Sequence, residues 1–208
     1  MKIFYRAAAF TCIFLILYAC NRHVASYELY VNADLDESSS TIKGKRVLVY
    51  TKKETGNLIL EVETVEKIKK ALAAYGYIPA DNLSNADYVL LFEYSIDTGK
   101  AISSRESGYT PTPFTNRFES SRSTNTETEY IKELTLRLFS AEKLSKTSQP
   151  LWTGKAYIRD TSFNLRKAMD YLIVAAFEHF GKETGEDTML IINSEDKRIK
   201  GLNQAVHQ

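Results

Sequence analysis

Residues 130–141 read YIKELTLRLFSA. Leu134, Leu136 and Leu138 take every second position, with Thr135, Arg137 and Phe139 between them. A period of two sends the leucines to one face of an extended chain and the alternate set to the other, so the segment reads as a β-strand with one face committed to a core. Residues 142–150 form a turn, and LWTGKAYI at 151–158 returns as the hairpin partner. Upstream, YVLLFEYSI at 88–96 is apolar enough for a central strand, RVLVYTK at 46–52 is rich in β-formers, and Tyr27, Leu29 and Val31 alternate as a first strand. TMLIIN at 188–193 offers a last one.

Two helices separate these strands. Leu58, Val62, Val65, Leu72 and Tyr75 recur at helical spacing with Ile68 beside them, Asn57 is placed to cap the start, and Gly76 stands where a left-handed terminator belongs. Lys67, Lys69 and Lys70 fall late in this helix, complement its dipole and read as a solvated face. A second helix over 164–181 carries the stripe Leu165, Met169, Leu172, Ile173, Ala176 and Phe180. The order β-β-α-β-β-β-α-β, with two helices able to cover one sheet face, predicts an α+β two-layer sandwich with a mixed or antiparallel sheet. The other sheet face then meets solvent or a partner.

Residues 99–128 differ from their surroundings: twelve of the thirty are Ser or Thr, and Pro111 and Pro113 interrupt regular structure. The composition predicts a long flexible insertion between two strands. Residues 195–208 read as a polar, frayed tail.

The start of the chain carries an address. Lys2 and Arg6 precede an apolar run from Ala7 to Ala19 that is short for a membrane span, the pattern of a secretory signal. The run closes on Leu17-Tyr18-Ala19-Cys20, which resembles the lipobox of bacterial lipoprotein precursors. That resemblance implies a signal peptide at 1–19, a lipid on the Cys20 thiol, a tether at 20–25 and a single domain at 26–194. Asn21 after the lipidated residue, in place of aspartate, implies an outer-membrane address facing the periplasm. Cys12 falls within the removed segment, so the mature chain keeps one cysteine and forms no internal disulfide.

Removing Lys2 and Arg6 takes the 27 basic residues to 25 against 26 acidic ones, a mature net charge near −1. This balance gives no electrostatic case for nucleic acid. The 13 tyrosines and 10 phenylalanines suit a β-rich core and an interface.

Three local patterns over 45–181 carry a second resemblance. Ile68-Lys69-Lys70-Ala71-Leu72-Ala73-Ala74-Tyr75-Gly76-Tyr77 closes a helix on a glycine–aromatic step, Ala86-Asp87-Tyr88-Val89-Leu90 enters a strand, and Trp152-Thr153-Gly154-Lys155-Ala156 returns from a hairpin. In this order they resemble a family of uncharacterised envelope lipoproteins, a domain of unknown function. The family brings no catalytic residue or cofactor with it. The long 99–128 segment and the missing acidic turn residue before Leu134–Phe139 depart from its pattern.

Chemistry-bearing motifs are sparse. His23 falls in the tether, His207 in the tail, and His179 beside Glu178 at the flank of the second helix's apolar stripe, where it reads as a boundary residue rather than a general base. No hydrolase elbow, zinc signature or phosphate loop occurs, so no catalytic residue, metal or cofactor is assigned. Trp152 beside Gly154 reads as core packing rather than a stacking platform. The candidate binding residues are Arg105, Tyr109, Phe114, Arg117, Phe118 and Arg122, because arginine forks and aromatic planes are favoured contact groups. They suit an envelope protein, a glycan or anionic lipid, and the alternative is a solvated insertion without function. The expected role is a lipid-anchored, non-enzymatic binding or assembly module. The alternatives are a periplasmic enzyme of cell-wall or lipid metabolism and a surface-displayed lipoprotein.

Overall fold

The strand read at 130–141 is the axis of the sheet, but it starts earlier, at Phe118. The computed structural model describes residues 25–36, 45–51, 57–111, 118–144 and 148–204, with 104–111 and 118–125 described through their backbone pairing. Among the described residues the order is β1 (Ser26–Leu35), β2 (Arg46–Thr51), α1 (Leu58–Ala74), β3 (Ile78–Ala80), a 3-10 turn at Leu83–Asn85, β4 (Tyr88–Ile96), β5 (Lys100–Pro111), β6 (Phe118–Ser140), β7 (Trp152–Asp160), α2 (Leu165–Glu178), β8 (Thr188–Asn193) and α3 (Lys197–Asn203). One mixed sheet runs β3-β2-β4-β6-β7-β1-β8, with β5 paired to β6. β2 is parallel to β3 and β4, and the remaining pairs are antiparallel. The α+β class and the helix-on-sheet packing agree with the sequence; β3, β5 and α3 are additions to it.

The core lies between the helices and one sheet face. Leu134, Leu136 and Leu138 of β6 are fully buried there with Leu90 and Phe92 of β4, Ala156 and Ile158 of β7, and Leu29 and Val31 of β1. α2 packs on β1, β6, β7 and β8, while α1 packs on β2 and β3. From Tyr171 to Phe177 every residue of α2 is buried, because the sheet lies on one side and α1 and α3 on the other. The Asn164 side chain accepts from Lys167 N at 3.1 Å and caps this helix.

α1 begins and ends as its sequence predicts, but only part of the expected stripe faces inward. Asn57 accepts from Leu60 N at 3.1 Å. At the far end Gly76 (φ +84°) allows Gly76 N to donate to Ala73 O and Tyr77 N to donate to Leu72 O, both at 3.0 Å, the paired bonds of a Schellman motif. The buried residues are Leu60, Glu61, Thr64, Ile68, Ala71 and Leu72, whereas Leu58, Val62 and Tyr75 are exposed. Of the expected stripe, Ile68 and Leu72 face the core with Val65 packed beside them, and its two ends do not. Thr64 enters the core because its hydroxyl donates to Leu60 O at 2.7 Å, which satisfies a polar group that pattern reading assigns to solvent.

The tail is corrected as well. Asp196 caps α3, and Ile199 and Leu202 are buried against α1 and α2. Lys70 Nζ donates to Leu202 O (2.8 Å) and Gln204 O (2.6 Å), satisfying carbonyls at the end of α3. Hydrogen bonds from Arg198 hold the Asp196 carboxyl below its usual range. A depressed folded-state value contributes stability above the ordinary aspartate range and loses it as pH falls through the lowered value. Amide exchange followed through an acid titration is therefore expected to show α3 losing protection before β6. Simultaneous loss in both elements contradicts this.

Residues 99–128 hold the largest correction. In place of a connection without regular structure, β5 and the first part of β6 pair from Lys100↔Glu129 to Pro111↔Phe118. Pro111 is accommodated because it ends β5, where no further ladder bond is required, and Pro113 lies outside the described residues. Beyond Tyr130, β6 has β4 on one side and β7 on the other. Before Tyr130 it pairs only with β5 among the described residues, so the two strands leave the sheet as a ribbon arm.

A β-bulge sits at the root of the arm. The β4–β6 register ends at Ile96↔Lys132 and the β5–β6 register starts at Lys100↔Glu129, so residues 97–99 oppose only residues 130 and 131. Asp97 N donates to Ile131 O at 3.0 Å, and the Asp97 carboxylate accepts from Ile131 N (2.9 Å) and Gly99 N (3.1 Å), replacing the interrupted ladder. Gly99 has φ +80°, and a Cβ there would lie 2.6 Å from both Thr128 Cγ2 and the Tyr130 ring. Gly99→Ala is expected to cost about 2 kcal/mol from backbone strain and this clash. Faster amide exchange confined to the bulge and the arm root checks it, and unchanged exchange there refutes it.

Candidate interaction surface

The side chains of β4, β6, β7 and β1 that alternate with the core form the other sheet face, which no helix covers among the described residues. A polar ladder crosses its centre. Arg137 donates to Glu93 at 3.0 Å, Lys155 pairs with Glu133 at 2.7 Å, and Thr135 Oγ1 donates to Glu133 at 3.2 Å. These pairs are partly exposed, so each contributes only a few tenths of a kcal/mol up to about 1 kcal/mol. Farther along, the Tyr30 and Tyr157 rings stack at 5.1 Å, and the Arg159 guanidinium lies 5.7 Å from the Tyr157 ring centroid. Tyr157 Oη and Asn32 Nδ2 both donate to the Asp187 carboxylate at 3.1 Å. Desolvation, and then this carboxylate, holds the Tyr157 hydroxyl above its ordinary pKa.

At the β2 side the same face becomes apolar. Leu48, Tyr50, Val89, Leu91, Leu83 and Leu144 line a shallow cavity of about 340 Å³. Tyr50 is 57% exposed. Parallel register places Leu48 beside Val89 and Tyr50 beside Leu91. Charged ladder and apolar corner together form a surface with the mixed character of protein interfaces.

On the helix side, a cleft of about 650 Å³ lies among α1, α2 and α3. Several of its charges are already matched: Lys67 with Asp170 at 2.5 Å, Arg166 with Glu63, and Glu66 with Lys69 of α1 at 3.0 Å. Asn203 also donates to Asp170 at 2.7 Å. Among the described residues no group of three or more His, Cys, Asp or Glu is placed to hold a metal ion. His179 follows α2, and its Nε2 is buried with no hydrogen-bond partner among the described residues.

The candidate binding residues divide. Cys20, Phe114 and Arg117 lie outside the described residues. Arg105 and Tyr109 are on β5, and Phe118 and Arg122 on β6. The register Arg105↔Thr124, Ser107↔Arg122, Tyr109↔Ser120 and Pro111↔Phe118 places all four on one face of the ribbon. The opposite face holds Lys100, Glu106, Glu119, Glu127 and Glu129. Sequence reading missed Glu93, Arg137, Glu133 and Lys155; their signal was the polar alternate set of residues 130–141, which acquires meaning only with cross-strand register.

No family model matches the chain, and no curated protein matches it. Among solved structures it is similar to a PDZ domain protein from Parabacteroides distasonis, at 12% identity over 85% of this chain with a TM-score of 0.50. This chain spans 41% of the length of that protein. The PelC dodecamer from Paraburkholderia phytofirmans shows 15% identity over 75% of this chain and 99% of its own, with a TM-score of 0.40. A DUF4136 family protein from Bacteroides thetaiotaomicron shows 14% identity over 76% of this chain and 95% of its own, with a TM-score of 0.38. No helix among the described residues is long and apolar enough to cross a membrane. The likeness to the Parabacteroides protein is one of fold.

Proposed function

We propose that the chain is a lipid-anchored envelope protein facing the periplasm, acting as a non-enzymatic binding or assembly module. The observation that carries this reading is the sheet face opposite the helices, where a charged ladder adjoins an apolar corner that only Leu83 of the 3-10 turn and Leu144 flank among the described residues. A sheet with one face packed and the other carrying exposed Tyr50, with exposed Leu83 of the 3-10 turn beside it, presents a surface suited to a partner. The lipobox-like Leu17–Cys20 supports the anchor, and β1 begins at Ser26, so a mature tether of six residues would hold the domain near its membrane.

Two measurements test the reading. A clickable palmitate analogue is expected to label the wild-type protein and not Cys20→Ser, and equal labelling removes the anchor. A photo-crosslinking residue at Tyr50 is expected to give a discrete envelope adduct in intact cells that Cys20→Ser loses. The same residue at Glu66, on the helix side, serves as control. Adducts from Glu66 with none from Tyr50 would move the interface off the sheet face.

A further inference from the structure

Resting on the lipid-anchor reading, we propose that the β5–β6 arm lies on the anionic surface of the membrane that holds the anchor, its Arg105–Arg122 face on the headgroups and its glutamate face toward water.

The placement follows from register. Leu29 pairs with Ile158 of β7, and Ile158 pairs with Lys132 of β6, so the Ser26 end of β1 is also the end of the sheet from which the arm departs. Carried three residues onward, Ser26 stands level with Glu129, where the arm begins. β6 and β1 are separated by β7 alone, roughly 10 Å across the sheet. The tether of residues 20–25 reaches at most about 20 Å from Ser26. The arm runs on from the same end for about 40 Å. A membrane held within the tether's reach therefore lies within the reach of the arm.

The chemistry of the two faces matches that position. Arg105 and Arg122 occupy adjacent, diagonal sites, and Tyr109 and Phe118 follow on the same face toward the far end. Arginine attracts anionic headgroups, and aromatic side chains favour the boundary between headgroup and acyl chain. The other face carries four glutamates against one lysine, a composition repelled by the same surface. A two-stranded ribbon without a core is marginal alone, so a supporting surface also accounts for its length.

The test uses the full, lipidated chain in vesicles of phosphatidylethanolamine and phosphatidylglycerol at three to one. An environment-sensitive fluorophore is placed at Ser120→Cys or Ser121→Cys, neighbours on opposite faces of the arm. The expected result is a blue shift at 120, none at 121, and none at either site in phosphatidylcholine vesicles. Combining Arg105→Glu with Arg122→Glu should reduce the shifted fraction at 120 roughly tenfold or more, with Trp152 emission unchanged as the check on folding. An aqueous signal at 120 in protein that still floats with the vesicles overturns the inference and leaves the anchor reading intact. Protein that fails to float overturns both. A shift at both sites that persists in neutral vesicles and grows with protein density points to packing between copies and also overturns it.

Discussion

Gly154→Ala is expected to destabilise the protein by about 3 kcal/mol or more, although it adds a single methyl group. Trp152 and Gly154 are successive inward positions of β7, and the indole lies over the glycine. A Cβ at 154 would meet Trp152 Cη2 at 2.2 Å and Cζ2 at 2.4 Å. The indole has nowhere to withdraw. It is 1% exposed, its Nε1 donates to Lys182 O at 3.0 Å, and its ring meets Phe180 edge-on at a centroid distance of 4.7 Å. Overpacking alone costs about 1–3 kcal/mol, and displacing the ring also forfeits its burial and leaves a hydrogen bond unmade. Denaturant unfolding measures the loss, and red-shifted tryptophan emission reports the displaced ring. In a Trp152→Leu background the same alanine is expected to cost far less, a coupling that a double-mutant cycle reads directly. Equal costs in both backgrounds would show that the close approach is unimportant.

Asp160→Ala is expected to cost about 3 kcal/mol near neutral pH, and Lys132→Met much less. Lys132 is the inward residue of β6 at the arm end of the core, fully buried, and its ammonium is paired with the Asp160 carboxylate. Asp160 is 22% exposed, so it takes part of its solvation from water, and its value lies at the low end for buried pairs. Removing the acid leaves a buried cation without its partner. Removing the cation leaves a carboxylate that can still turn to solvent and accept from Ser162 N. Methionine fills most of the lysine's volume with apolar surface. The measurement is urea unfolding of both single variants and the double; a double variant as unstable as Asp160→Ala would refute the account.

The parts of this molecule that bury apolar side chains were the parts legible in its sequence. Alternation of Leu134, Leu136 and Leu138, the Asn57 cap and the Gly76 stop each have a local cause, and each stands where it was expected. Reading failed where stability comes from elsewhere. α3 offers only Ile199 and Leu202 at helical spacing, too short a pattern to separate from chance, and it holds through Lys70 on its terminal carbonyls. The α1 stripe was right at Ile68 and Leu72 and wrong at its ends, and Thr64 enters the core by satisfying its own hydroxyl. The arm is joined by a backbone ladder between Ser- and Thr-rich strands, so hydropathy does not mark it. Its binding candidates were chosen for residue type, and their common face emerged only from register.

The extra residue at 97–99 acts on the arm as a phase shift acts on a wave. Up to Ile96, even-numbered residues of the β4–β5 chain share a face with even-numbered residues of β6; from Lys100 onward, odd partners even. A slip that carried the β4–β6 register on into the arm, with no residue removed, would close the bulge and bring the two strands back into phase. Arg105 would then join Glu119, Glu127 and Glu129, and Glu106 would join Arg122, without one charge having been changed. The separation of charge on the arm is thus written in the one residue by which its strands are out of step, and a one-residue slip would erase it as completely as several charge reversals.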